Sequence, residues 1–182
     1  LAEVGPAISV FGSARTRPDE PLYECAQRIG ELLVDRGYAV ITGGGPGMME
    51  AANRGAWEAG GTSIGLGIEL PHEQGLNQWV NLGVNFRYFF ARKTMFVKYS
   101  RGFIVMPGGF GTMDELFESA TLVQTGKIRS FPVVLVGTDY WSGLVDWIRS
   151  SMVDAGMISP GDVDLLRVVD DPEEAVRLAT GA

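Results

Sequence analysis

The chain has 182 residues, 46% of them hydrophobic and 20% charged, with a net charge of −7 at pH 7 and a pI of about 4.7. That is the composition of an ordinary globular protein, long enough for one domain with a full core, and it excludes a low-complexity chain. So acidic a chain is a poor non-specific binder of nucleic acid. No apolar run is long enough to span a bilayer, and no basic segment followed by an apolar stretch opens the chain, so neither membrane insertion nor secretion is expected. The single cysteine, Cys25, precludes an intrachain disulfide and fits a reducing, cytoplasmic setting.

Residues 7–11 form a short apolar run of strand type that ends in Gly12-Ser13. Residues 21–36 read as a helix, with Leu22, Ala26, Ile29 and Leu33 at helical spacing and Gly37 as its stop; Cys25 belongs to the core side of this helix. Residues 38–42 are a second strand, running into Gly43-Gly44-Gly45-Pro46-Gly47, and residues 48–59 a second helix. Residues 62–68 are a third strand. Residues 69–82, with Pro71, His72 and Gly75, read as a long irregular loop of the kind that often carries function, His72 being a surface or lid residue. A short strand over 83–88 and a helix over 89–99 follow. Strands over 103–106, 132–136 and 165–169 alternate with helices ending near Gly126, over 142–155, and over 172–179, where Pro172 suits a first turn.

Strands apolar on both faces, alternating with helices, predict an α/β fold: a single Rossmann-like domain with an open, mainly parallel sheet and helices on both faces. In such sheets ligands bind beyond the carboxyl ends of the strands. Gly12-Ser13, Gly43 to Gly47 and Gly108 to Gly111 all lie at such ends, so one cleft is expected to be lined by all three.

The most informative stretch is Met106-Pro107-Gly108-Gly109-Phe110-Gly111-Thr112-Met113-Asp114-Glu115. Three glycines in four positions let backbone amides approach a ligand, and a helix start aims unpaired N–H groups and partial positive charge at the same spot. Such a place binds phosphate. Two readings of Glu115 stand. Thr112-x-x-Glu115 fits a capping box, with Thr112 as N-cap; alternatively a carboxylate beside an anion site performs chemistry. Residues 87–101 hold Arg87, Arg92, Lys93, Lys98 and Arg101 and no acid, which points to a small anionic ligand, with Lys98 and Arg101 on a solvated helix face.

Other nucleotide motifs fail. There is no G-x-x-x-x-G-K-[ST], and the first glycine turn is not G-x-G-x-x-G, although Glu69 stands where a ribose-binding acid sits in dinucleotide folds. One histidine and one cysteine cannot make a zinc site.

The stretch Pro107 to Glu115 matches P-G-G-x-G-T-x-x-E, the motif of the LOG (lonely guy) family of cytokinin riboside 5′-monophosphate phosphoribohydrolases. Arg92-Lys93-Thr94-Met95 resembles that family's R-K-x-x-M, Gly43 to Met49 its first glycine turn, and Gly12-Ser13 its first strand end. Glu50, where many plant members have glycine, and Glu69-Leu70-Pro71 resemble the bacterial branch. The resemblance implies hydrolysis of the N-glycosidic bond of a nucleoside 5′-monophosphate, without metal or cofactor. On that basis Glu115 stabilises the oxocarbenium-like ribosyl or activates water, and Arg92 stabilises the departing base. Gly108, Gly109, Gly111 and Thr112 would hold the 5′-phosphate; Ser13, Gly44, Gly45 and Lys93 would help to orient the nucleotide; and Met95 would pack on the base or in the core. Family members assemble as dimers or hexamers, so a homodimer, possibly a hexamer, is expected, with Phe89, Phe90, Phe96, Leu116, Phe117, Leu122 and Val123 as candidate contact residues. The label lysine decarboxylase, often given to such proteins, finds no Schiff-base lysine here. The rival from another class is a non-catalytic carrier of molybdenum cofactor with the same fold.

Overall fold

Short runs rich in Val, Ile and Phe alternate with amphipathic runs along the chain, and this alternation dictates the architecture. The computed structural model describes residues 1–69 and 75–181. Its seven strands are β1 (Ala7–Phe11), β2 (Ala39–Thr42), β3 (Ser63–Ile68), β4 (Leu82–Phe86), β5 (Phe103–Val105), β6 (Val133–Val136) and β7 (Leu166–Val169). They pair in parallel throughout, in the order β4-β3-β2-β1-β5-β6-β7.

The side-chain period of two sends alternate strand residues into two separate cores. Ile8, Val10, Ile104, Met106, Val134 and Val136 meet helices α1 (Pro21–Asp35), α2 (Met48–Glu58) and α6 (Pro172–Thr180). Ala7, Phe11, Phe103, Val105, Val133 and Leu135 meet α3 (Phe89–Tyr99), α4 (Phe110–Gln124) and α5 (Thr138–Trp147). The Phe11 ring packs edge-on against both Phe96 and Phe103, which fixes α3 beneath β1 and β5. Cys25 packs against the first core, and burial pushes its thiol up to about 11.

Two helix starts differ from the sequence expectation. Helix α4 begins at Phe110 with Gly109 as N-cap and no side-chain cap, so Thr112 is its third residue and Glu115 its sixth. The capping box over Thr112 and Glu115 does not form. Helix α5 begins at Thr138 rather than 142, and a π-helical turn (Ile148–Val153) follows it. Its start is set from far along the chain: the Asp170 carboxylate accepts from the Thr138 N–H at 2.7 Å and from its hydroxyl at 2.8 Å. A 3-10 turn (Pro160–Leu165) precedes β7. Among the described residues no helix is long and apolar enough to cross a membrane.

The sheet changes direction at β1, with β2 on one side and β5 on the other. A buried polar knot stiffens the β2 side. Asn53 on α2 accepts from the Thr42 hydroxyl at 2.6 Å and from Asn77 Nδ2 at 3.0 Å. It donates to the Ser63 hydroxyl at 2.8 Å and to the Ile64 carbonyl at 3.2 Å. Asn77 in turn donates to the Gly44 and Gly45 carbonyls, so the first glycine turn is held from below. Asn53→Ala leaves several of these buried groups without a partner and should cost roughly 2–4 kcal/mol, read as a lowered urea midpoint.

Candidate active site

A cleft of about 650 Å³ opens where the carboxyl ends of four neighbouring strands meet. Gly12 to Arg15 follow β1, Gly43 and Gly45 follow β2, Ile68 ends β3, and Gly109 to Thr112 follow β5. Met49, Phe89, Arg92 and Glu115 enter from the helices. From β3 to β5 is three strand spacings, roughly 14 Å, about the length of an extended mononucleotide. A second cavity, of about 400 Å³, lies at the opposite ends of the strands beside Tyr38, Arg101 and Ser130.

Ser13 joins the parts. Its N–H donates to the Pro107 carbonyl at 2.9 Å, and its own carbonyl accepts from the Met48 N–H at 2.9 Å. One residue thus fastens the β1 end to the central glycine turn and to the start of α2. Gly47 makes the second contact possible: its φ is +68°, and a Cβ there would lie 2.4 Å from the Ser13 carbonyl oxygen. At the central turn, the Gly108 carbonyl accepts from the Tyr140 hydroxyl at 2.5 Å. The first N–H groups of α4 carry no side-chain cap and face the cleft wall formed by Gly109, Phe110 and Gly111.

Glu115 is 6% exposed, one helical turn beyond that start. Among the described residues nothing donates a hydrogen bond to its carboxylate. Burial pushes the carboxyl up to about 7; the charges of Lys93 and Arg92 pull it down and those of Glu118 and Asp114 push it up, but desolvation outweighs them. The carboxyl is therefore close to half ionised at neutral pH.

Arg92 stands on α3 at the cleft. Its Nε donates to the Leu66 carbonyl at 2.7 Å, and its guanidinium lies 5.2 Å from the Phe96 ring centre. A Cβ at residue 43 would lie 2.5 Å from Arg92 Nη2, so Gly43 leaves room for this arginine at the β2 end. Lys93 points elsewhere. Its ammonium pairs with Asp114 at 2.9 Å and Glu118 at 2.6 Å, tying α3 to α4.

The family model described as "Possible lysine decarboxylase" matches residues 49–179. A Mycobacterium tuberculosis protein named cytokinin riboside 5′-monophosphate phosphoribohydrolase is 31% identical over 173 residues, 93% of this chain and 91% of its own. The chain belongs to the LOG family. An Arabidopsis thaliana member, named cytokinin riboside 5′-monophosphate phosphoribohydrolase LOG3, is 29% identical over 93% of this chain and 80% of its own. Among solved structures, the molybdenum cofactor carrier protein of Chlamydomonas reinhardtii matches with a TM-score of 0.69 at 27% identity, over 97% of this chain and 96% of its own.

In this LOG protein the cleft brings together Ser13, Gly45, Arg92, Gly109, Gly111, Thr112 and Glu115. It does not place Gly44, Lys93, Met95 or Gly108 on the wall. Gly44 and Gly108 lie behind it, their carbonyls taken by Asn77 and Tyr140. Met95 packs against the second core. Lys98 and Arg101 are exposed, as expected of a solvated face. His72 lies outside the described residues. Six wall residues escaped the sequence reading as site residues: Phe11, Ala14, Arg15, Met49, Ile68 and Phe89. The glycine motifs beside Arg15 and Met49 offered the nearest signal; Ile68 and Phe89 carry none, being ordinary strand and helix residues. Among the described residues no group of His, Cys, Asp and Glu is arranged to hold a metal ion.

The raised Glu115 carboxyl carries a stability consequence. Below pH 4.5 it is protonated folded and unfolded; as pH rises through about 7 the unfolded chain gives up its proton first, so burial costs stability over that window. For a shift of this size the loss is about 3 kcal/mol. Glu115→Gln removes the titration. The variant should gain stability relative to the parent between pH 5 and 8, checked by urea unfolding of both proteins across that range.

Proposed function

We propose that this protein hydrolyses the N-glycosidic bond of a nucleoside 5′-monophosphate, releasing the free base and ribose 5-phosphate. The observation that carries the proposal is the buried carboxyl of Glu115, which shares a cleft with Arg92 and an uncapped glycine-rich helix start. A site built only to hold an anion gains nothing from a carboxylate there, since its charge repels the ligand. The naming of the mycobacterial and plant relatives supports the same reading.

In this reading the helix start and Thr112 receive the 5′-phosphate. Positive charge develops on the ribosyl C1′ as the bond to the base lengthens. Ionised Glu115 stabilises that charge and takes a proton from the attacking water. Electron density moves to the base, where Arg92 lies close to the β2 and β3 ends and stabilises it; water supplies the hydroxyl on C1′, and the proton that Glu115 took from that water passes through solvent to the base nitrogen, so the base leaves neutral and Glu115 is ionised again. Met49, Ile68 and Phe89 give the cleft an apolar side suited to a purine, including one with an apolar N6 substituent of the cytokinin kind. Lys93 acts from outside the cleft, by holding α3 to α4 and lowering the Glu115 carboxyl. Retention of molybdenum cofactor without turnover is the second reading, favoured by the likeness to the Chlamydomonas carrier protein. The setting we propose is a reducing cytoplasm. We propose assembly as a homodimer through the outer faces of α3 and α4, where Phe90 is 73% and Phe117 38% exposed.

Incubation with AMP should release adenine and ribose 5-phosphate, followed by chromatography; a carrier would leave AMP intact. The value of kcat/KM should rise with pH through an apparent pKa near 7, because the ionised carboxyl is the active form. Glu115→Gln should fold, bind AMP and lose about a hundredfold or more in turnover, whereas Arg92→Ala should lose both turnover and affinity. Light scattering at micromolar concentration should give at least twice the chain mass.

A further inference from the structure

Arg15 lines the cleft immediately after β1, on the side that the β1 end shares with the helix start of α4. Its backbone is held: the Arg15 N–H donates to the Ser13 hydroxyl at 3.0 Å, and Ser13 is itself fastened to Pro107 and Met48. Its guanidinium is not held. Among the described residues no carboxylate, carbonyl or aromatic ring engages it, and the side chain projects from an exposed residue. The contrast with the neighbouring cations is informative. Arg17 is paired with Asp19, Lys93 with Asp114 and Glu118, and Arg92 with the Leu66 carbonyl. In a chain with a net charge of −7, an unengaged arginine on a cleft wall already bearing free helix N–H groups supplies a local excess of positive charge.

We propose that Arg15 is the charged ligand of the substrate's 5′-phosphate and sets the preference for monophosphates over nucleosides. This rests on the nucleotide reading above. The guanidinium fork matches a phosphate bidentately, and Arg15 lines the same cleft as the Gly109–Gly111 turn, with its backbone anchored at Ser13. Phosphate at the β1–β5 end leaves the base to extend toward β3, where Met49, Ile68 and Phe89 lie, with the reacting bond between them near Glu115 and Arg92.

The test is calorimetric binding of AMP and of adenosine to the parent, Arg15→Ala and Arg15→Lys proteins, with a melting curve for each. Arg15→Ala should melt like the parent, because among the described residues its side chain makes no hydrogen bond, ion pair or ring contact to lose. It should lower AMP affinity relative to adenosine affinity by roughly tenfold to a hundredfold and flatten the decline of AMP affinity with salt. Arg15→Lys, which keeps the charge without the fork, should recover part of the difference. An AMP-to-adenosine ratio unchanged in Arg15→Ala overturns the proposal while leaving the parent's AMP binding and turnover intact. A parent that binds no AMP overturns the nucleotide reading itself, and the role of Arg15 with it.

Discussion

The cleft depends on the two peptide bonds of Ser13. One hydrogen bond reaches Pro107 across the β1–β5 boundary and the other receives Met48 from the β2 side. Between them they fix the spacing of both glycine turns, and everything that lines the cleft is placed relative to those turns. The glycines nearby follow from this demand for close approach. Gly47 adopts a positive φ to bring α2 against Ser13, and Gly43 leaves room for the Arg92 guanidinium. A chain that changes sheet direction at β1 has open strand ends there, and Ser13 turns that opening into a defined cavity rather than a gap.

Against this frame the placement of Glu115 runs counter to folding. A carboxyl that is 6% exposed and raised to about 7 opposes the folded state whenever it is ionised. The surroundings limit the penalty without removing it: Lys93 and Arg92 favour the charged form, while Glu118 and Asp114, themselves neutralising Lys93, offset part of that help. The balance leaves a group that exchanges its proton near neutral pH, the range in which a general base works best. Under the proposed hydrolysis, stability and catalysis pull in opposite directions on one proton, a pattern common where function requires an unfavourable environment.

Much of the architecture was legible because local pattern and tertiary demand agree. The apolar strand runs and helical spacings predicted β1 and α3 to the residue, and the three glycine-bearing strand ends do line one cleft. What was not legible came from contacts distant in sequence. The start of α5 is set by Asp170, and the Thr112-x-x-Glu115 spacing resembled a capping box although the N-cap lies three residues earlier, at the bare glycine Gly109. The resemblance to R-K-x-x-M gives Arg92 to the departing base and Lys93 to orienting the nucleotide, but adjacent residues share a motif and not a helix face: packing puts Arg92 at the cleft and pairs Lys93 with α4. The apolar side of the cleft is drawn from α2, β3 and α3, three elements that no single stretch unites.

The LOG family thus joins proteins named as hydrolases with a structural likeness to carriers on one scaffold, and the proposed hydrolysis here turns on Glu115. Its ionisation is directly observable. The side-chain carboxyl carbon of Glu115, labelled with carbon-13 and assigned by comparison with Glu115→Gln, can be titrated by NMR in the unliganded protein. The expected midpoint is about 7. A midpoint near 4.5, the ordinary value for a glutamate, would contradict it, because Glu115 would then be a solvated carboxylate with no environment tuned for proton transfer.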